Sequence, residues 1–288
     1  MSLGNLFNKA KENLLGIWGK AIGSSLLLSI IYIALFIVWV LFASLITSLM
    51  LSSLDGNNAG IWFGLLIIIL AAIALALIGQ LLYVGYQFAV LDKLDKGEYR
   101  VTSFFDILNV KPLKMLGLIA MTALLVFLWS LLLVVPGIIK AISYSQSFYI
   151  LKENPEKSIM DCISESRKVM KGNKGLYFGI LVIFALFNLI PIILFGSPEY
   201  KLQINGGQIF SDFNSGYWIT STIISVFVTV FASSVYANFY RTLVPLDSNE
   251  ESAINGEFDL FNNENANSNN FDINNESISD NNIWSNEE

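Results

Sequence analysis

The sequence predicts an all-α fold: a polytopic membrane protein with six transmembrane helices arranged as three hairpins, amphipathic surface helices beside them, and a disordered acidic tail. Three observations carry that reading. Hydrophobic residues make up 54% of the 288 and charged ones only 14%, against about 25% charged in soluble globular domains. The apolar residues gather into runs of about twenty, the length a helix needs to cross lipid. Lys and Arg cluster in alternate segments between those runs, as they do in loops on the cytoplasmic side.

Residues 1–20 precede the first run. Leu3, Leu6, Phe7, Ala10, Leu14, Ile17 and Trp18 recur at i, i+3, i+4 and i+7, with Lys9, Lys11 and Glu12 off that stripe. This is the pattern of an amphipathic interfacial helix. A signal peptide would show a compact basic region followed directly by an apolar run and a small-residue cleavage site.

The membrane domain follows over residues 21–246, with spans expected at about 21–50, 61–90, 115–135, 137–151, 176–195 and 217–238. The loop "SSLDGNNAG" has no basic residue and "GSPEYKLQINGGQIFSDFNSG" has only Lys201, so both are expected outside. Lys9, Lys11 and Lys20, then Lys93, Lys96, Arg100, Lys111 and Lys114, then Lys152, Lys157, Arg167, Lys168, Lys171 and Lys174 mark three segments expected inside. The stretch "LLLVVPGIIKAISYSQSFYIL" lies between two of these, so the chain must cross an even number of times there. Pro136 and Gly137 are then expected as an outer turn, since proline breaks a helix and glycine tolerates a reversal. One long kinked helix over 115–151 is the alternative. Each hairpin is preceded by an amphipathic stretch, at 3–18, "VTSFFDILNVKPL" and "SIMDCISESRKVM", which suggests a triplicated unit.

Polar residues inside the spans are few. Lys140, Tyr144 and Ser147 share a helix face with Ser143 beside them, and Gln80, Gln87, Asn188, Ser225 and Thr229 lie on other spans. They fit either hydrogen bonds between helices or the lining of a polar path. No carboxylate falls inside a span as bounded here, which argues against proton or sodium coupling.

Between the fourth and fifth spans a cytoplasmic helix is expected at about 156–171, its first turn set either by Asn154-Pro155 or by a capping box of Ser158 with Asp161. Ile159, Ile163, Ser166 and Met170 form its apolar face, Glu165 with Lys168 and Arg167 with Lys171 a charged one, and Gly172 its end before Lys174. Histidine is absent and Cys162 is the only cysteine. Disulfides, Cys/His zinc sites and histidine acid–base chemistry are thereby excluded, and no cofactor, metal or catalytic residue is expected.

Pro136, Gly137, Lys140, Tyr144 and Ser145, then Asn154-Pro155, then Glu165, Ser166, Arg167, Met170, Gly172 and Lys174 together resemble the signature of the domain of unknown function 975 family. The opening "LLGIWGKA" fits the same family more loosely. The resemblance implies a multi-pass integral membrane protein and supplies no reaction.

Residues 247–288 hold eleven acidic residues, thirteen asparagines and no Lys or Arg. The remainder carries seventeen basic against twelve acidic residues, a net of +5. Such a tail cannot bury a core and is expected to be disordered. Phe258, Phe261, Phe271 and Trp284 recur amid its acids as candidate binding motifs. Its charge argues against nucleic acid as a partner. The expected partners are membrane lipid and a protein docking on the cytoplasmic helix or the tail; the sequence sets no oligomeric state. The expected function is a cytoplasmic-membrane adaptor or envelope-stress factor with both termini inside. A transporter of a small amphiphile, using the face around Lys140 and Tyr144, is the alternative.

Overall fold

The computed structural model describes residues 2–52, 59–97, 99–109, 111–196, 201–205, 208–212 and 214–246. The acidic tail, with Phe258, Phe261, Phe271, Trp284 and the disorder expected of it, lies outside the described residues. Helix α1 (Leu3–Leu14) opens on Ser2, whose hydroxyl accepts from the Asn5 amide at 3.4 Å. Gly16, at φ +79°, turns the chain into α2 (Trp18–Ser52), which is followed by α3 (Ala59–Lys96) and a 3₁₀ helix (Ser103–Asn109). Then come α4 (Pro112–Leu132), α5 (Val134–Tyr144), α6 (Ser147–Glu153), α7 (Ile159–Val169), α8 (Lys174–Phe187), α9 (Ile190–Phe195) and α10 (Ser215–Leu243).

Five of these stretches are long and apolar enough to cross a membrane: Trp18–Met50, Gly60–Lys96, Pro112–Leu132, Lys174–Phe195 and Ser215–Leu243. The fourth span expected at 137–151 is not one helix. It is divided between α5 and α6, with the break at Ser145–Gln146. Between α9 and α10, where a loop was expected, strands β1 (Lys201–Asn205) and β2 (Gln208–Asp212) pair antiparallel. The described fold is therefore helical with one added ribbon.

With 35 and 38 residues, α2 and α3 are about 52 and 57 Å long at 1.5 Å per residue. That exceeds a hydrocarbon core of ~30 Å, and exposure divides each helix accordingly. From Ile30 to Leu49 on α2 and from Trp62 to Ile78 on α3 the large side chains are mostly exposed, whereas Ala21, Leu28 and Leu81–Leu91 belong to the buried core. That core sits at the basic end, around Tyr86, Phe104, Met115, Tyr149 and Tyr240, all essentially inaccessible. Gly85 lets the 3₁₀ helix press onto α3: a Cβ there would stand 2.2 Å from the Phe104 carbonyl oxygen. The stripe of α1 also packs on protein. Leu6, Ala10 and Leu14 are buried, and the Ser234 hydroxyl on α10 donates to the Ala10 carbonyl at 3.0 Å.

Helices α4 and α5 form a tight hairpin, but its turn is Leu133, a single extended residue at φ −161°, ψ 145°. Pro136 and Gly137, expected as the turn, instead lie in the first turn of α5. Proline is tolerated there because its missing N–H would be unpaired anyway. Gly137 sets how closely the two arms approach, since a Cβ would stand 2.1 Å from Ser130 Oγ. The chain then returns to the base of α4, where Lys114 donates to the Pro155 carbonyl at 2.5 Å and Lys111 pairs with Glu156 at 2.6 Å.

Tyr149 on α6 donates to Gln87 on α3 at 3.2 Å and stacks on Tyr240 of α10 at 4.8 Å, which sets a common height. From there α3 runs roughly 27 residues to Gly60 and α10 roughly 25 to Ser215, about 38–40 Å. From Tyr149 back to Leu133 there are only roughly 16 residues, about 24 Å. Counted along its helices, the arm that ends at the hairpin tip is thus about 15 Å shorter than α3 and α10 beyond the same pair of contacts. Leu131 to Val135, which form that tip, are each 65–70% exposed.

Candidate functional site

The residues expected to line a polar face are divided between two places, Lys140 and Ser143 at one crevice and Ser225 and Thr229 at another cleft. Ser143 donates to the Ile139 carbonyl at 2.6 Å and Ser147 to the Tyr144 carbonyl at 2.7 Å, so both buried hydroxyls are satisfied within their own turn. Tyr144 is buried, Gln80 is exposed, and Gln87 accepts from Tyr149. Asn188 likewise bonds back to the Phe184 carbonyl at 2.8 Å. The Lys140 amine lies 4.2 Å from the centre of the Trp129 ring across the hairpin. A separate cleft of about 180 Å³ opens among α2, α3 and α10, where Ser25, Ser29, Tyr32, Tyr83, Ser225 and Thr229 line it.

Sequence reasoning missed a cluster of charges at the basic end. The Arg241 guanidinium on α10 engages Asp95 of α3 in two parallel bonds, Nε to Oδ1 at 2.7 Å and the second nitrogen to Oδ2 at 2.5 Å. It also pairs with Glu153 of α6, which accepts from the Tyr240 hydroxyl at 2.5 Å. Beside it, Lys152 pairs with Asp92 at 2.8 Å and donates to the Phe88 carbonyl at 3.1 Å. Burial pulls the Lys152 ammonium below its usual pKa, and Asp92 opposes that shift. The ends of α3, α6 and α10 are thereby tied together. In sequence each of these residues sits at the end of an apolar run, where an ordinary headgroup contact explains it equally well. Asp95 and Arg241 are 146 residues apart, so no local spacing could announce the pair.

Helix α7 forms much as its sequence predicts. The Ser158 hydroxyl accepts from the Asp161 amide at 3.2 Å, and Cys162, Ile163, Ser166 and Met170 are buried. Burial pushes the Cys162 thiol above its usual pKa. Glu165, expected opposite Lys168, pairs with Lys157 at 2.7 Å instead. Gly172, at φ +88°, lies in the turn that leads into α8. Ser166 docks the helix into the α5–α6 break, donating to the Ser143 carbonyl at 2.8 Å and accepting from the Gln146 amide at 3.2 Å. This docking opens a crevice of about 430 Å³ lined by Lys140, Ser143, Ser164, Arg167, Lys168, Lys171 and Lys174. Among the described residues no group of His, Cys, Asp or Glu is placed to hold a metal ion.

Apolar helices of spanning length, exposed along one half and gathered into a charged, protein-packed base on the other, define a helical membrane protein. The family model described as protein of unknown function (DUF975) matches residues 103–246, half of the chain. The chain belongs to that family. No curated protein and no solved structure matches it.

Proposed function

We propose that the protein is a non-enzymatic organiser of the cytoplasmic membrane, an adaptor with its basic end and both termini in the cytoplasm. In this reading α2, α3, α8–α9 and α10 cross the bilayer, and the α4–α5 hairpin enters only the inner half. The observation that carries it is the hairpin tip, five consecutive exposed apolar residues on an arm about 15 Å shorter along its helices than α3 and α10, a difference of half a ~30 Å hydrocarbon core. Lipid is the solvent that suits such a tip, since each apolar side chain left in water forgoes about 25 cal/mol per Å². The reading replaces six crossings with four. Both schemes keep the basic segments on one side, because a returning hairpin changes the count by two. A wedge in one leaflet and a braced base beneath it suit a protein that arranges lipid or partner proteins.

Cysteine accessibility tests the arrangement in a Cys162→Ala background. Gly60→Cys and Ser215→Cys are expected to react with an impermeant maleimide added outside, and Val134→Cys to react only after detergent is added. Labelling at position 134 in intact cells refutes the half-depth hairpin. Transport of a small amphiphile is the second reading, favoured by the cleft around Tyr32 and Ser225. It expects reconstituted vesicles to move a lipophilic dye, and Ser225→Leu to stop them.

A further inference from the structure

We infer that the crevice between α5, α7 and the start of α8 is a binding site for the phosphate of an anionic phospholipid of the inner leaflet. Its charged lining is Lys140, Arg167, Lys168, Lys171 and Lys174, with no carboxylate among the lining residues. Several cations elsewhere at this end are matched, Lys111 with Glu156, Lys152 with Asp92, Lys157 with Glu165 and Arg241 with Asp95, while Lys9, Lys11, Lys20, Lys93 and Lys114 are scattered cations that form no ion pair among the described residues. Arg167, Lys168, Lys171 and Lys174 form no ion pair among the described residues. A concave cluster of one charge sign, left without counter-charge, concentrates anions at its mouth. Arg adds a planar fork that suits phosphate oxygens.

The site is held in place from beneath. Ser166, fully buried, ties α7 to the backbone of Ser143 and Gln146, so its neighbour Arg167 and the next residue Lys168 start from a fixed helix. Lys140 comes from the opposite wall, on the hairpin arm itself. On the helices that carry Lys140 and Lys174, Ile138 and Ile139 of α5 and Phe178 and Val182 of α8 expose 38–48% of their surface. A lining of cations and serines, on helices that also expose apolar side chains, matches the junction of a headgroup with its acyl chains, and basic pockets between membrane helices on the cytoplasmic side take such headgroups. A soluble organophosphate would use the same cations but leave those apolar side chains uncovered. The choice of lipid rests on the membrane arrangement proposed above; the choice of phosphate does not.

The full-length protein in a mild non-ionic detergent is titrated with short-chain phosphatidylglycerol, with phosphatidylcholine of the same chain length, and with glycerol 1-phosphate, using calorimetry and thermal stability as readouts. Phosphatidylglycerol is expected to bind at least ten-fold more tightly than either of the others. Arg167→Gln with Lys168→Gln, both exposed positions, should weaken it at least ten-fold, while Lys9→Gln with Lys11→Gln should leave it unchanged. Equal affinity for glycerol 1-phosphate overturns the lipid assignment and leaves a soluble-phosphate site. Equal affinity for phosphatidylcholine, or insensitivity to the Arg167 and Lys168 pair, overturns the site itself. The cysteine labelling at position 134 is read separately. Phosphatidylglycerol binding with position 134 labelled from outside removes the half-depth hairpin and keeps the phosphate site, whereas shielding at 134 without binding does the reverse.

Discussion

Replacing Arg241 should loosen the base of the bundle more than any comparable surface change. The guanidinium side chain is 13% exposed and its partner Asp95 only 9%, so Arg241→Leu strands two carboxylates, Asp95 and Glu153, in a poorly solvated place. Breaking a buried pair by removing one member costs about 3–5 kcal/mol, a large share of a typical net stability of about 5–15 kcal/mol. For a chain of this size the cost corresponds to a fall in Tm of roughly 6–20 °C. Arg241→Lys keeps the charge but cannot make both parallel bonds, and should cost about 1.5–3 kcal/mol. Adding Asp95→Asn and Glu153→Gln to Arg241→Leu removes the stranded charges and should recover most of the loss. Thermal unfolding in mild detergent, followed by helical circular dichroism, reads all three variants. A Tm shift under about 2 °C for Arg241→Leu would place the cluster with solvated surface pairs, worth about 0–1 kcal/mol, and would refute the idea that it locks α3, α6 and α10 together.

Gly85→Ala should destabilise by about 1–3 kcal/mol, because its Cβ meets a backbone oxygen of the 3₁₀ helix at 2.2 Å and no side chain can move to admit it. Gly23→Ala, which meets nothing within 4 Å, is the control, and the two unfolding midpoints compared under the same conditions check the difference. Cys162 is fully buried and its thiol is pushed up by that burial, so maleimide at pH 8 should modify the folded protein at least a hundred-fold more slowly than the unfolded chain, as mass spectrometry of timed samples would show; the thiolate is the reactive form. Comparable rates would mean that α7 opens readily or does not pack as described.

The sequence alone determined the class of molecule, the presence of α7 with Ser158 as one of two candidate starts and Gly172 in the turn beyond it, and the basic segments that gather at one end. These follow from local properties: hydropathy over a helix length, the reach of Ser158 to its own first turn, and the freedom of Gly172 at positive φ. It also placed Lys140 with the signature residues, though not where they would meet. The tertiary structure decided which apolar surface faces protein and which faces outward. An interior of leucine and valine and a bilayer of acyl chains are both apolar solvents, so a hydropathy pattern cannot tell Leu81 to Leu91 of α3, which are packed on protein, from Trp62 to Ile78, which are exposed. For the same reason a run as apolar as Leu131 to Val135 gives no sign of its depth, and Pro136-Gly137 looked like the turn when Leu133 makes it. The charge lock was hidden by distance along the chain: Asp95, Glu153 and Arg241 each resemble an ordinary helix-end residue until folding brings α3, α6 and α10 to one height.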